Sequence, residues 1–318
     1  MPMQRGQCDN ICNPEPAPEP EPKAIMNRND FRFFHPLRVR WAEVDMQKIV
    51  FNAHYLMYFD TAISDYWRAL GLPYEDAMLH LSGDLYVKKA TLEYAGSAQF
   101  DDRIDIALRC ARIGNSSMTF EGACFLDERS AAGDKPLVQC ELIYVFADPK
   151  TQTSRPVPVA LRTLLTDYEA GGGAVRVETG DWTSLGERAM RLRTAVFAQE
   201  QGMAQTLMGD ADDAAAIHAV TINGVGQVVA CGRLVERDYG VGQIGRVAVH
   251  RALRGCGMGL GLGLIQALES CAHERGLKGI MLHAQRSAEG FYRRAGYAPC
   301  GEAFEEAGLP HIEFRKAW

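Results

Sequence analysis

The sequence predicts an α+β protein of two domains, in which an antiparallel sheet around one central helix is followed by a mixed sheet with flanking helices. Three observations support this prediction. The length of 318 residues suits about two domains. The first half reads as one strand, one long apolar helix and four consecutive strands, whereas strands alternate with helices in the second half. Three consecutive glycines, Gly171–Gly173, lie between the two patterns and indicate a linker.

The composition argues against several classes of protein. The net charge is −6, so neither a nucleic-acid-binding surface nor a polybasic membrane surface is indicated. No apolar run approaches the ~18 residues of a membrane span, and the N-terminus lacks the apolar core of a signal peptide. Nine cysteines are scattered without a C-x-x-C pair, which favours free thiols in a reducing cytoplasm over a disulfide framework or a metal site. We therefore expect a cytoplasmic protein without a bound metal.

The first predicted domain follows a tail, residues 1–29. Within the tail, Pro14–Lys23 alternates Pro and Glu, which cannot bury a core and predicts disorder. A strand is predicted over Phe31–Trp41 and a helix over His54–Leu70, where apolar side chains recur at helical spacing. Turn residues separate four further strand-like runs, Leu85–Gly96, Arg103–Ile113, Met118–Leu126 and Leu137–Ala147. Sequential strands favour antiparallel pairing, so this order predicts the hotdog architecture, a sheet curled around a central helix.

The stretch Val39–Leu72, VRWAEVDMQKIVFNAHYLMYFDTAISDYWRALGL, resembles the signature of the 4-hydroxybenzoyl-CoA thioesterase-like (YbgC-type) hotdog family. The resemblance covers about residues 32–168 and implies hydrolysis of an acyl-CoA thioester. It implies Asp45 as the carboxylate, acting as nucleophile or as general base for water, and Asn52 as a residue that orients the water. It also implies a homodimer or homotetramer, since this family builds its sites at a subunit interface.

Alternatives remain open at this site. Asp45 by itself suits a turn-forming role, and Asn52 suits a helix cap. Glu43 is either solvated or a substitute for Asp45. Lys48 stands where the family usually has Gly, so either the loop differs in shape or Lys48 meets a CoA phosphate. A non-catalytic dimerisation or acyl-CoA-sensing domain is therefore the alternative function of this half.

The second predicted domain begins with a strand near Val175–Glu178. Ser184 and Glu187 form a capping-box pattern, which predicts a helix start at Ser184. A hairpin is predicted around Asn223-Gly224. The remaining predicted elements, in order, are strands over Ile217–Ile222, Val228–Glu236 and Ile244–Val249, an apolar helix with Leu260, Leu264 and Leu268, a strand over Gly279–Gln285 and a short helix over Ala288–Ala295.

A glycine-rich turn connects the strand Ile244–Val249 to the apolar helix. The first backbone N–H groups of a helix have no internal partner and the helix dipole favours negative charge there, so the turn predicts an anion site. The spacing is not the G-x-x-x-x-G-K-[ST] of a P-loop, and it is not G-x-G-x-x-G, because position 262 is Leu where that pattern needs Gly. It reads R-G-x-G-x-G over Arg254–Gly259, which resembles the coenzyme A loop of the GNAT family of N-acetyltransferases. The stretch LHAQ…FYRRAGY…GEAFEEAGLPHIEF also resembles an ElaA-like GNAT protein, over about residues 177–316.

The GNAT resemblance implies that an amine attacks the thioester of acetyl-CoA or another acyl-CoA directly. Tyr292 occupies the position that the family uses as general acid to the thiolate, with a core aromatic as the alternative. His283 is a candidate base, with a structural histidine as the alternative. Ten residues are expected to bind the cofactor: the strand Val247, Ala248 and Val249, and the loop Arg254, Gly255, Cys256, Gly257, Met258, Gly259 and Leu260. Cys256 is expected to be a packing residue.

The sequence thus predicts a tail over 1–29, a hotdog domain over 30–170, a linker over 171–174 and a GNAT domain over 175–318. The predicted function is bifunctional, with hydrolysis of an acyl-CoA in the first domain and transfer of an acyl group to an amine in the second. The expected partners are small-molecule acyl-CoA and an amine acceptor, without nucleic acid or membrane. The acyl chain and the acceptor are not specified by these patterns.

Overall fold

A computed structural model describes residues 25–127 and 134–318. The repeat of Pro and Glu in the predicted tail lies outside the described residues. The first half forms a five-stranded antiparallel sheet in the order β1-β3-β4-β5-β2. Its strands are β1 (Phe33–Arg38), β2 (Asp84–Tyr94), β3 (Arg103–Ile113), β4 (Ser117–Leu126) and β5 (Val138–Ala147). Each lies within a few residues of its predicted position.

The helix α1 (Asn52–Ala69) is the central helix of this sheet. Its buried side chains recur at steps of three and four, so one broad apolar face packs against the sheet; they are Tyr55, Tyr58, Phe59, Ala62, Ile63, Tyr66 and Trp67. Two further helices, α2 (Tyr74–His80) and α3 (Val159–Glu169), add side chains to the same core. The predicted antiparallel sheet around a central helix is confirmed.

The second half forms a seven-stranded mixed sheet in the order β11-β12-β10-β9-β8-β7-β6. Its strands are β6 (Val175–Gly180), β7 (Ile217–Asn223), β8 (Val228–Arg237), β9 (Val241–Val249), β10 (Gly279–Gln285), β11 (Ala298–Glu306) and β12 (Leu309–Ala317). The β9–β10 pair is parallel and the other neighbours are antiparallel. The helices are α4 (Trp182–Arg193), α5 (Leu260–Glu274) and α6 (Glu289–Arg294). The predicted mixed sheet with flanking helices is confirmed.

The start of α4 differs from the capping-box prediction. The helix begins at Trp182, and Asp181 is its N-cap, with the carboxylate accepting from the Ser184 backbone N–H at 2.9 Å. Ser184 lies in the first turn instead, where its hydroxyl donates to the same carboxylate at 2.8 Å. Asp and Ser are about equally favourable as N-cap residues. The helix begins after the earlier one, Asp181.

No helix in the described part of the chain is both long and apolar enough to cross a membrane. The cysteines within residues 25–127 and 134–318 form no disulfide bond, and most of them lie in the two cores as small apolar side chains.

Candidate functional site

A cavity of about 1140 Å³ lies where β9 and β10 separate. The two strands pair only from Val241 to Ile244 of β9, and Arg246 has a left-handed φ of +55° that bends β9 away from its neighbour. From Gly245 to Val249, therefore, the β10 side of β9 has no strand partner. All ten predicted cofactor-binding residues line this cavity, as do Tyr292 and His283.

The glycine-rich loop forms one wall of the cavity and leads into α5. Gly255, Gly257 and Gly259 have φ between +65° and +82°, and a Cβ on any of them would meet no atom within 4 Å. Their need for glycine is therefore conformational rather than steric. No backbone N–H from Gly255 to Leu262 donates to an acceptor in the described residues, and the first α5 bond runs from Gly263 N to Gly259 O. These amides and the helix dipole provide an anion-binding wall.

The side chains of the loop face different surroundings. The Arg254 guanidinium donates to Glu200, at 2.8 Å for Nη2, and to the Val249 carbonyl at 2.9 Å. The hydrogen bond from Arg254 lowers the pKa of the Glu200 carboxyl. Cys256 Sγ donates to the Leu253 carbonyl at 2.9 Å and packs beneath the loop, as expected for a packing residue.

Tyr292 reaches the cavity from α6 and is held by aromatic neighbours. Its ring packs edge-on against Phe291 and Tyr297, with centroids 4.9 and 6.1 Å away. Burial raises the pKa of Tyr292 to about 12, so the hydroxyl stays protonated through neutral and moderately alkaline pH. Its hydroxyl has no hydrogen-bond partner within residues 25–127 and 134–318, so the proton is free to meet a ligand group in the cavity.

His283 lies on β10 and is oriented by a carboxylate that sequence analysis did not identify. Its Nδ1 lies 2.8 Å from Glu306 Oε2, and its ring packs edge-on against Phe304 at 4.9 Å. Glu306 ends β11, where the two-residue turn Ala307-Gly308, with φ of +51° and +77°, directs the hairpin tip into the cavity. The carboxylate fixes Nδ1 as the protonated nitrogen and leaves Nε2 as the basic one.

A charged network also lines the cavity, and sequence analysis did not identify it. Arg233 donates to both Asp210 oxygens and to Asp213, and Arg246 donates to Asp210 at 2.8 Å. Hydrogen bonds from Arg233, together with Arg246, hold the pKa of Asp210 well below its usual value. The residues come from β8, β9 and the 205–214 loop, so sequence spacing does not reveal their meeting.

The first domain places Asp45 in a tight loop before α1. The Asp45 backbone N–H donates to the Ile49 carbonyl, and its carboxylate accepts from the Gln47 N–H at 2.7 Å. This is the geometry of an Asx turn. The carboxylate is half-buried and has no cationic partner within the described residues. Turn formation and catalysis are compatible here, because the second oxygen remains available.

Lys48 occupies the same loop with a left-handed φ of +63°. The loop thus keeps the backbone conformation that glycine would adopt most easily, and Lys48 bears a strain of roughly 1–2 kcal/mol for doing so. The departure from the family pattern changes the side chain without removing the left-handed turn.

The residues beside Asp45 have distinct roles. Glu43 is buried rather than solvated: its carboxylate accepts from Tyr58 Oη at 2.8 Å and from the Arg40 backbone N–H at 2.7 Å. Burial opposes its ionisation, but the hydrogen bonds from Arg40 and Tyr58 outweigh burial and lower its pKa. Asn52 is exposed at the first position of α1, and Phe51 rather than Asn52 is the N-cap residue. Asn52 is therefore not a helix cap.

Neither Asp45 nor Asn52 lines the cavity of the second domain. Large apolar side chains on the loop and on the first turns of α1 are instead exposed to solvent; they are Trp41, Met46, Phe51, Leu56 and Met57. Edge strand β2 adds Tyr86, Val87 and Tyr94 to the exposed apolar residues. In the described residues, no group of three or more His, Cys, Asp or Glu side chains has metal-binding geometry.

Each half of the chain matches a different family of known proteins. Residues 197–318 match the family model described as an acetyltransferase (GNAT) domain, and residues 39–165 match the thioesterase-like superfamily. "Uncharacterized N-acetyltransferase YjcF" of Bacillus subtilis is 33% identical over 129 residues, 40% of this chain and 89% of the relative. Protein ElaA of Escherichia coli is 35% identical over 126 residues, 39% of this chain and 81% of the relative. A thioesterase superfamily structure from Jannaschia sp. CCS1 is 21% identical, covering 46% of this chain and 95% of that chain with a TM-score of 0.38.

Proposed function

Because the C-terminal half of this chain belongs to the GNAT acetyltransferase family and the N-terminal half matches the thioesterase-like superfamily, we propose that the protein is a bifunctional acyl-CoA enzyme. The C-terminal domain transfers an acetyl or other acyl group from CoA to an amine. The N-terminal domain hydrolyses an acyl-CoA. One observation supports the transferase activity: the glycine loop with its unpaired amides, Tyr292 and His283 all line the same cavity. We place the boundary between the domains at residues 171–174, between α3 and β6.

The glycine loop binds the pyrophosphate of the acyl-CoA. Its free amides from Gly255 to Leu262 donate to phosphate oxygens, each such bond to a charged group contributing about 1.5–3 kcal/mol. Beyond Ile244, the unpaired edge of β9 lends the backbone groups of Val247, Ala248 and Val249 to the pantetheine arm and the acyl oxygen. The thioester then lies in the gap between β9 and β10, near Tyr292.

The chemical step is direct transfer between two ligands. The amine nitrogen attacks the thioester carbonyl carbon, forming the C–N bond while the C–S bond breaks. Tyr292 donates its hydroxyl proton to the leaving thiolate, which becomes the thiol of CoA. The proton that His283 takes from the amine returns to the Tyr292 phenolate through solvent, which restores both residues. The raised pKa of Tyr292 keeps the hydroxyl proton available at working pH. The resulting amide product needs no covalent enzyme intermediate.

His283 removes the proton from the attacking amine through Nε2. Glu306 is a positioning residue, because its bond to Nδ1 sets the tautomer and stabilises the imidazolium that forms. The carboxylates and guanidiniums of Asp210, Arg233 and Arg246 form the polar acceptor end of the cavity. These charges favour a polar amine over an apolar one.

The N-terminal domain provides a carboxylate and helix amides for thioester hydrolysis. Asp45 attacks the thioester or activates water, and the unpaired amides at the start of α1 stabilise the developing oxyanion. Asn52 orients the water from its exposed position at the same helix start. The alternative for this domain is a non-catalytic dimerisation or acyl-CoA-sensing role, which the Asx turn at Asp45 also fits.

We propose that a homodimer or homotetramer completes this second site. Exposed apolar side chains near Asp45 and the edge strand β2 are features of the kind that oligomers bury, and Tyr94 of β2 donates to the Asn52 carbonyl at 3.1 Å. Sedimentation equilibrium at micromolar protein is expected to give a mass of at least two chains. A monomer at those concentrations would contradict the shared site.

The transfer assignment is tested by CoA release from acyl-CoAs of different chain length, with and without a panel of amines. Release that requires the amine reports transfer. We expect Glu306→Gln to lower the transfer kcat about tenfold, because an amide does not stabilise the His283 imidazolium.

Glu305→Gln is the matched control, since the neighbouring exposed carboxylate lies outside the cavity. Its kcat should match that of the unchanged protein. A Glu306→Gln variant with an unchanged kcat would show that this carboxylate does not position His283 for the reaction. The absence of amine-dependent release across the whole panel would contradict the transferase assignment itself.

A further inference from the structure

The turn between β7 and β8 docks the second sheet onto the first domain. Val225, in this turn, is buried in the core of the first domain. The Asn223 side-chain amide donates to the Gly71 carbonyl at 3.0 Å, and the Gln227 amide donates to the Asp76 carbonyl at 3.1 Å. The two domains therefore meet through satisfied polar contacts around an apolar centre, rather than being joined by the linker alone.

A second contact connects the first domain to the entrance of the glycine loop. His250 directly follows β9 and caps the 3₁₀ turn Arg251–Leu253, with Nδ1 accepting from the Ala252 N–H at 3.3 Å. Because Nδ1 is the acceptor, Nε2 carries the proton, and it lies 2.7 Å from Asp76 Oδ2. Asp76 thus holds, from the first domain, the residue that shapes the start of the loop.

The middle of the loop is anchored to the same surface by Met258. This side chain packs both on the core of the first domain and on the apolar cluster beneath the loop. Gly71 provides the space: its φ is +66°, and a Cβ there would lie 2.6 Å from Val175 Cγ1 and 3.6 Å from Met258 Cε. The loop is consequently attached to the first domain at two points, at its entrance and at its centre.

We propose that the thioesterase-like domain braces the acyl-CoA loop of the acetyltransferase domain, with Asp76 acting through His250 as a positioning residue and Met258 as the second anchor. A loop with three left-handed glycines has wide backbone freedom, and fixing it before ligand arrives reduces the entropic cost of binding. The N-terminal domain thereby raises the affinity of the C-terminal site for acyl-CoA. This inference rests on the proposed role of the loop in binding acyl-CoA.

The test is a titration of the full chain with CoA, monitored by amide hydrogen exchange in peptides that cover residues 254–262. The midpoint is the CoA concentration at which the slowing of exchange is half complete. These amides have no acceptor in the described residues, so bound phosphate should slow their exchange, and the midpoint reports this site alone. Asp76→Ala is expected to raise the midpoint about threefold, the effect of losing one hydrogen bond at an exposed position. Its KM for acyl-CoA in transfer should rise equally while kcat stays within about twofold.

Glu75→Ala is the matched control, because it removes an exposed carboxylate from the same turn of α2, and its midpoint should match that of the unchanged protein. In the His250→Ala background, Asp76→Ala should add nothing, since the two residues act as one unit. Equal midpoints for Asp76→Ala and Glu75→Ala would overturn the brace. No slowing of exchange at any CoA concentration would refute the acyl-CoA assignment of the loop and the brace with it.

Discussion

Replacing Tyr292 by Phe is expected to lower the kcat of amine-dependent CoA release by about 10²–10⁴, the usual contribution of a general acid. In the proposed mechanism the phenol proton neutralises the thiolate as the C–S bond breaks, and Phe has no proton to give. In free energy the loss corresponds to roughly 3–5 kcal/mol of the barrier. KM for acyl-CoA should change little, because the pyrophosphate is held by the loop. Steady-state kinetics at saturating amine measures both quantities.

Tyr297→Phe is the control for this substitution. Tyr297 lies in the same aromatic cluster, but its hydroxyl donates to Glu269 at 2.7 Å and does not line the cavity. Its loss should leave kcat within about threefold, even if stability falls by the ~1 kcal/mol of one hydrogen bond. A Tyr292→Phe enzyme that transfers as well as Tyr297→Phe would show that another acid protonates the thiolate.

The working pH range provides a second check on Tyr292. Since burial raises its pKa to about 12, the phenol remains protonated well above neutral pH, and its deprotonation should not limit transfer below about pH 11. A tyrosine-dependent loss of rate near pH 10, the ordinary value for tyrosine, would place the hydroxyl in a more solvated setting than the aromatic cluster provides.

Local signals in the sequence were sufficient for the fold, and they identified the glycine loop, Tyr292 and His283, which line one cavity. The helical repeat of Tyr55 to Trp67 and the order of the strands predicted the central helix and its sheet, because burial of one face depends on spacing alone. The Arg254–Gly259 loop was identifiable since strand, glycine turn and helix are consecutive in the chain. Both family resemblances are confirmed by the family models.

The residues that sequence analysis missed meet only through tertiary structure. Glu306 reaches His283 because the Ala307-Gly308 turn folds β11 back on β12, and neither strand was predicted. The Asp210–Arg233 pair joins a loop to a strand over twenty residues later. Contacts at such separation carry no periodic signal, so spacing rules do not detect them.

The contact between Asp76 and His250 joins two domains across 174 sequence positions, so no local sequence pattern predicts it. Lys48 stands where the family usually has Gly, and it adopts a left-handed φ of +63°. The turn is closed by two backbone hydrogen bonds, from the Asp45 N–H to the Ile49 carbonyl and from the Lys48 N–H to the Asp45 carbonyl.

Asp45→Asn is expected to lower amine-independent acyl-CoA hydrolysis by about 10²–10⁴, the range for a catalytic carboxylate. An amide is neither a nucleophile nor a useful base at neutral pH. The substitution preserves the loop, because the Asn side-chain oxygen can still accept from the Gln47 N–H that closes the Asx turn. The loss should therefore appear in kcat for hydrolysis without a fall in melting temperature, which circular dichroism measures in parallel.

Asp148→Asn is the matched control, since Asp148 closes another Asx turn of the same domain by accepting from the Lys150 N–H at 2.8 Å. It should hydrolyse acyl-CoA at the unchanged rate. Asp45→Asn and Tyr292→Phe together distinguish the functions of the two domains. Asp45→Asn should retain amine-dependent transfer, and Tyr292→Phe should retain hydrolysis. Unchanged hydrolysis in Asp45→Asn would instead favour the dimerisation or acyl-CoA-sensing role, with the turn as the reason for Asp45, and would leave the cavity between β9 and β10 as the catalytic centre of the chain.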